Sequence, residues 1–202
     1  MNSKPYQNML TRFSENPFLT IDISSNLENF NNKLKDVFIL INRYYPSFTF
    51  YESGEKEFIK WEDKILNNKF VFKVGDKLEF NIPVLYMEEG KVKESCINRN
   101  GLAFYFDIDH SNEEVLILFV RPNSFTNKNY VEFYSAEKGW EKKIVDQTLA
   151  AKANRKNLEN FLSQLEKMLE GEIKDYGASN VSRKFIYKYG FKEDAVLNDL
   201  PS

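Results

Sequence analysis

Cysteine and histidine are almost missing from this chain, which holds one of each, Cys96 and His110, among 202 residues. That scarcity excludes an intrachain disulfide and a structural zinc site built from four Cys or His ligands. A Cys–His nucleophile pair could only be Cys96 with His110, and a Ser–His–Asp triad could only use His110. Glycine is sparse as well. The 8 glycines are scattered, and neither G-x-G-x-x-G nor G-x-x-x-x-G-K-[ST] occurs, so no phosphate-cradling loop of a familiar type is present. Neither sign of charge dominates: 28 basic residues against 30 acidic ones leave a net −2. A dedicated nucleic-acid binder needs an excess of Lys and Arg to neutralise phosphates. The longest apolar runs, Val37–Ile41 and Val115–Val120, fall far short of the roughly 20 residues of a membrane-spanning helix. The first twenty residues carry Lys4, Pro5, Arg12 and Glu15 and no apolar leader stretch. The expectation is a cytoplasmic protein that needs no cofactor and has no membrane partner.

Aromatics, by contrast, are abundant, with 18 Phe and 11 Tyr, and hydrophobic content is 42%. Such a chain can bury a real core. No Pro-, Gly- or Ser-rich linker divides it, so residues 1–202 are expected to form one domain. Residues 1–20 would be a loosely packed N-terminal segment. Residues 178–202 would be a tail with a short strand and a terminal helix.

Residues 69–135 alternate at the period of two that a half-buried strand requires. Phe70, Phe72 and Val74 alternate with Lys69, Val71 and Lys73, and Gly75-Asp76 is a hairpin signal. Leu78, Phe80 and Ile82 follow, and Pro83 demands a bulge or an edge because it lacks a ladder donor. Glu88-Glu89-Gly90 turns the chain into a weak strand at 91–96, and Asn98-Arg99-Asn100-Gly101 reads as the next turn. Leu102, Phe104, Phe106 and Ile108 form one apolar face, with Ala103, Tyr105, Asp107 and Asp109 opposite. His110-Ser111-Asn112 reverses the chain into Val115–Val120, and Tyr130 to Tyr134 completes the series. Ser25-x-x-Glu28 fits a capping box, followed at helical spacing by Leu27, Phe30, Leu34, Val37, Phe38 and Ile41, with a stop before Pro46. A second stripe runs through Leu158, Phe161, Leu162, Leu165, Met168, Leu169, Ile173 and Tyr176. It predicts a helix over 156–176 with Gly177 at its C-terminal end. Residues 47–66 read as a hairpin turning at Ser53-Gly54, with a short helix through Phe58, Trp61 and Ile65 as the alternative. Residues 139–152 read as the start of the long helix rather than a last strand. The fold class is α+β: an antiparallel meander of five or more strands, with an N-terminal and a C-terminal amphipathic helix packed mainly on one face.

Function is less legible. Asp107, Asp109 and His110 form the densest oxygen-rich cluster, suited to Mg²⁺ or Mn²⁺. A metal-dependent nuclease or phosphoesterase using this region is the enzymatic alternative. Strand ends and turns collect Asp and Asn for conformational reasons, however, so no metal ligand is assigned. Glu-x-Lys occurs four times, at Glu62-Asp63-Lys64, Glu89-Gly90-Lys91, Glu141-Lys142-Lys143 and Glu172-Ile173-Lys174. A chain that is 29% charged meets so short a pattern by chance. The favoured reading is a non-enzymatic protein that binds another protein, of an immunity or inhibitor type, and it rests on elimination. Its expected contact face collects Tyr105, Asp107, Asp109, Tyr130, Glu132 and Tyr134, a set of rigid amphipathic rings beside fixed negative charge suited to a basic partner surface. The alternative surface is the basic and aromatic strip with Arg183, Lys184, Tyr187 and Lys188. It would suit an acidic partner or, in a nucleic-acid-binding accessory protein, stacked bases.

Overall fold

Ten strands and two helices follow one another along the described part of the chain. The computed structural model describes residues 19–52, 65, 70–88, 90–108, 112–135, 139–178 and 186–193. In order these are β1 (Leu19–Ile23), α1 (Leu27–Tyr44), β2 (Thr49–Glu52), β3 (Lys77–Glu88), β4 (Lys91–Ile108), β5 (Glu114–Val120), β6 (Lys128–Ser135), β7 (Gly139–Asp146), α2 (Thr148–Leu169), β8 (Ile173–Ala178), β9 (Ile186–Tyr187) and β10 (Gly190–Phe191). A 3-10 turn at Pro122–Phe125 follows β5. Six strands form the main sheet, in the order β2-β3-β4-β5-β1-β8, and every pairing in it is antiparallel. β6 with β7, and β9 with β10, form separate two-stranded ribbons. The fold is α+β, as the alternation of the sequence requires. Among the described residues no helix is long and apolar enough to cross a membrane.

Several elements depart from the sequence reading. Only three of the main-sheet strands, β3, β4 and β5, come from residues 69–135. Residues 70–73 have no regular structure, and the turn at Val74–Gly75, with Gly75 at φ +86°, does not join two paired strands. Phe72 is nonetheless fully buried. The Asn31 side chain of α1 takes the place of a neighbouring strand there: its Oδ1 accepts from Phe72 N (2.8 Å) and its Nδ2 donates to Phe72 O (2.9 Å). Asn98-Arg99-Asn100-Gly101 is not a turn either. β4 runs through it, with Phe80 facing Leu102 and Ile82 facing Asn98, so the extra residues are absorbed as an irregularity within the ladder. A second register shift lies between Val84 and Tyr86, and Pro83 sits between the two. The turn at Gly90 (φ +73°) links β3 to β4 as expected.

Both apolar stripes form helices, and α1 stops before Pro46 as expected, but the other ends differ. The N-cap of α1 is Asn26 rather than Ser25. Asn26 Oδ1 accepts from Asn29 N (2.7 Å), while Ser25 Oγ accepts from the Asn29 side chain (3.4 Å). α1 stops at Tyr44, two residues before Pro46. Residues 139–146 are strand β7, and α2 begins at Thr148. Asp146 accepts from both the backbone N–H (2.8 Å) and the hydroxyl (2.6 Å) of Thr148, and these bonds hold its carboxyl below the usual range. α2 ends at Leu169, because Glu170 turns left-handed (φ +52°). Gly171, not Gly177, is the glycine that matters: a Cβ there would lie 2.4 Å from the Ser24 carbonyl oxygen. Ile173 and Tyr176 therefore belong to β8, along the edge of β1. β2 pairs with β3, whereas Ser53-Gly54 lies outside the described residues.

The two helices cap one another. Asn29 of α1 donates to Leu169 O at the end of α2 (2.6 Å), and Asn157 of α2 donates to Tyr44 O at the end of α1 (2.6 Å). Each amide satisfies a carbonyl that the helix itself leaves unpaired. A single apolar core joins both helices to the main sheet and to the β9–β10 ribbon. At its centre Phe30 touches Phe72, Phe104 and Phe106, with ring centroids 5.3, 5.6 and 5.4 Å apart.

Glu166 fastens the C-terminal ribbon to α2. It accepts from Ile173 N (3.0 Å), Tyr189 Oη (2.6 Å) and Lys188 Nζ (2.7 Å). Burial alone would raise its pKa, but these donors together outweigh burial and hold the carboxyl below its ordinary value. A depressed folded-state pKa contributes stability that is fully present above the unfolded-state value of about 4.3 and is lost as pH falls through the folded-state one. Glu166→Gln should therefore lower the urea midpoint at pH 7, and the gap to wild type should close as pH drops toward 2. A gap that stays constant over that range would show that charge on Glu166 does not hold the ribbon.

Candidate functional site

The end of the main sheet where β4 gives way to β5 opens into a cleft of about 380 Å³. Asp107 and Ile108, the last residues of β4, form one wall, and Glu113, Glu114 and Val115 form the next. Asp22 and Ile23 of β1, the link Ser24–Asn26 into α1, and Lys174 of β8 close it. The local cause of this arrangement is strand parity. Ile21 and Ile23 of β1 and Leu116 and Leu118 of β5 point into the core, so Asp22 and Ile117, which face each other in the register, point out. Tyr105 faces Ile117 from β4, so Tyr105, Ile117 and Asp22 form one row across the outer face.

The cleft is markedly anionic. Asp22, Asp107, Glu113 and Glu114 supply four carboxylates, and Lys174 the one ammonium, 4.0 Å from a Glu113 oxygen. Glu114 has a structural use: its Oε2 accepts from Leu27 N at 2.8 Å, adding a carboxylate to the positive end of α1. Asp107 accepts from the neighbouring Ile108 N (2.8 Å), which orients its carboxylate without neutralising it. Apolar surface lies among the charges. Ile108 is 48% exposed although it continues the core-facing series of β4, because the sheet ends there. Among the described residues no three His, Cys, Asp or Glu side chains converge to hold a metal ion. Asp109 and His110 lie outside the described residues.

The structure brings together only part of the expected contact face. Tyr105, half-buried, and Asp107, exposed, share the outer side of β4. Tyr130, Glu132 and Tyr134 lie on β6, which belongs to a different sheet and pairs with β7, Glu132 opposite Lys142. The expectation that β6 continues the meander beside β5 is therefore corrected. A 3-10 turn intervenes after β5, and the main sheet adds β1 at that edge instead. Of the basic strip, Tyr187 and Lys188 lie on the β9–β10 hairpin. Lys188 is held by Glu166, and burial pushes the Tyr187 hydroxyl pKa up. Arg183 and Lys184 lie outside the described residues. Asp76, of the Gly75-Asp76 turn signal, accepts from Lys73 N at 2.8 Å and closes its own turn. Asp22 was missed. The alternation Leu19-Thr20-Ile21-Asp22-Ile23 carries the strand signal that would have found it.

No family model matches the chain, and neither the curated proteins nor the solved structures hold a match to it.

Proposed function

We propose that this protein acts by binding another protein, and that the cleft at the β4–β5 end receives a basic segment of that partner. One observation carries the reading: four carboxylates and one lysine surround the exposed Ile108 and the half-buried Val115 and Ile117 in a single concavity. A Lys or Arg side chain suits it on two counts. The charged head meets Asp22 and Asp107, and the aliphatic stem lies along Ile108 and Val115. Tyr105, one row further along the sheet, extends the same surface. A neutralising role of the immunity or inhibitor type, exercised in the cytosol, fits a protein that occupies its partner through such a patch. It needs no catalytic group of its own.

A photo-crosslinking residue at Ile108 would identify the partner in the native host, and purified components would then give the affinity. Asp22→Lys with Asp107→Lys should weaken binding at least a hundredfold and slow association, because like charges in an interface cost several kcal/mol. Binding by the wild type should also weaken with added salt. Arg183→Glu with Lys184→Glu should change the affinity by less than about twofold. The reverse pattern would move the interface to the C-terminal strip. A thermal shift of the wild type with Mn²⁺ that is lost in Asp107→Asn would favour the enzymatic alternative instead.

A further inference from the structure

The outer row of β5 carries the cleft onward along the sheet. Val115 and Ile117 line the cleft, and both are half-buried, as is Phe119 two residues on. The register sets other side chains beside them. Asp107 of β4 faces Val115, Tyr105 faces Ile117, and Ala103 faces Phe119. On the other side of β4, Lys77 of β3 faces Tyr105 and Glu79 faces Ala103. Lys77 reaches across β4: its ammonium lies 6.0 Å from the centre of the Phe119 ring and 2.6 Å from a Glu79 oxygen. Glu79 is the more buried of the two, 13% exposed against 32% for Lys77, so the ammonium is the group presented to solvent.

The face is therefore graded along β5. Carboxylates stand at the Val115 end, with Asp107 beside Val115 and Asp22 of β1 facing Ile117. Ile117 and the Tyr105 ring follow, and the Lys77 ammonium marks the Phe119 end. Side chains on one face of a strand repeat every two residues, so Val115 and Phe119 stand about 13 Å apart. An extended chain laid over β5 has the same repeat and turns alternate side chains toward the sheet.

We propose that this face reads an extended segment of the partner by alternate residues: a basic side chain in the cleft, an apolar one over Ile117 and Tyr105, and an uncharged or acidic one beside Lys77. The inference rests on the cleft as the docking site and adds the order of residues along it. The middle residue gains from removing Ile117 and the Tyr105 ring from water. Lys77 selects by exclusion. Its pairing with Glu79 leaves it little to gain from a second carboxylate, whereas a second cation would meet like charge.

Short peptides with blocked ends test the order: Arg-Thr-Leu-Thr-Glu against Arg-Thr-Ser-Thr-Glu, and against Arg-Thr-Leu-Thr-Arg, each also in reversed sequence. They are titrated at low salt while NMR follows the methyl groups of Ile108, Val115 and Ile117. The Leu peptide should bind about fivefold tighter than the Ser peptide, as partial burial of a leucine implies, and should shift Ile117 as well as Val115. In Lys77→Glu the preference for the Glu-ended over the Arg-ended peptide should fall about threefold or more. Lys156→Glu makes the same charge change on α2, across the core, and should leave that preference at its wild-type value. Lys77→Met serves if Lys77→Glu does not fold. Equal binding of the Leu and Ser peptides, or a preference that moves no more in the Lys77 variant than in Lys156→Glu, overturns the order of residues and leaves the cleft as the docking site. Binding that survives Asp22→Lys with Asp107→Lys, or no binding by any peptide, overturns both.

Discussion

Phe30→Ala is expected to lower the free energy of unfolding by about 3–5 kcal/mol, the range for truncating a buried phenylalanine. Phe30 is fully buried in α1 at the point where the helix crosses the central strands. Its ring contacts three others from two segments: Phe72 before β3, and Phe104 and Phe106 of β4. Removing it takes away transfer free energy and leaves a cavity that those rings cannot fill without losing their own contacts, Phe72 with Phe106 and Phe80 with Phe104. Guanidinium titration should show a lower midpoint with an unchanged slope. A midpoint equal to wild type would mean that the cluster does not carry the packing between helix and sheet.

Arg155→Ala should cost about 2–4 kcal/mol, because hydrogen bonds from a charged donor contribute about 1.5–3 kcal/mol each and the carbonyl of the buried Phe125 would lose its partner. Arg155 is 6% exposed on α2, and its Nη1 donates to Phe125 O and to Asn127 Oδ1, both at 2.8 Å. Asn127 in turn donates to Glu193 O (2.8 Å) and accepts from Gln147 N. One guanidinium thus joins the 3-10 turn, the start of α2 and the C-terminal ribbon. Arg155→Lys should recover only part of the loss, since both bonds come from Nη1, whose two N–H groups are held in fixed directions by the planar guanidinium, and a rotating ammonium on a different stem lacks that fixed geometry. Urea midpoints of the three proteins would settle the order. Full recovery by Lys would show that charge alone, not the geometry of the donors, matters.

Neither prediction follows from the sequence in the same degree. Phe30 was legible: it stands at helical spacing with Leu34, Val37, Phe38 and Ile41, and Phe104 and Phe106 stand at strand spacing. Arg155 was not, because a lone basic residue in a helix reads as a solvated face. The candidate site divides in the same way. Asp107 and Tyr105 came from the alternation of β4. Asp22 joined them only because β1 inserts between β5 and β8, from about 85 residues earlier in the chain than Asp107.

The periodicities are legible from the chain alone, and with them the two helical stripes, the strands β3 and β5, the second half of β4, and the α+β class. Local spacing records which side of an element is apolar, and burial follows from that. The sequence also limited the chemistry, since a Cys–His pair or a Ser–His–Asp triad has only Cys96 and His110 to draw on. Tertiary structure decided where elements end and which strands meet. Asn98-Arg99-Asn100-Gly101 carries turn chemistry, but the partner strand β3 turned it into an irregularity within a continuous β4. Ile173 and Tyr176 continue the stripe of α2, but the edge of β1 and the close approach of Gly171 to Ser24 drew them into β8. Only the assembled sheet set Asp22 beside Asp107. The Asn31 amide found its role the same way, because a long-range hydrogen bond leaves no period in the sequence and exists only once both partners are in place.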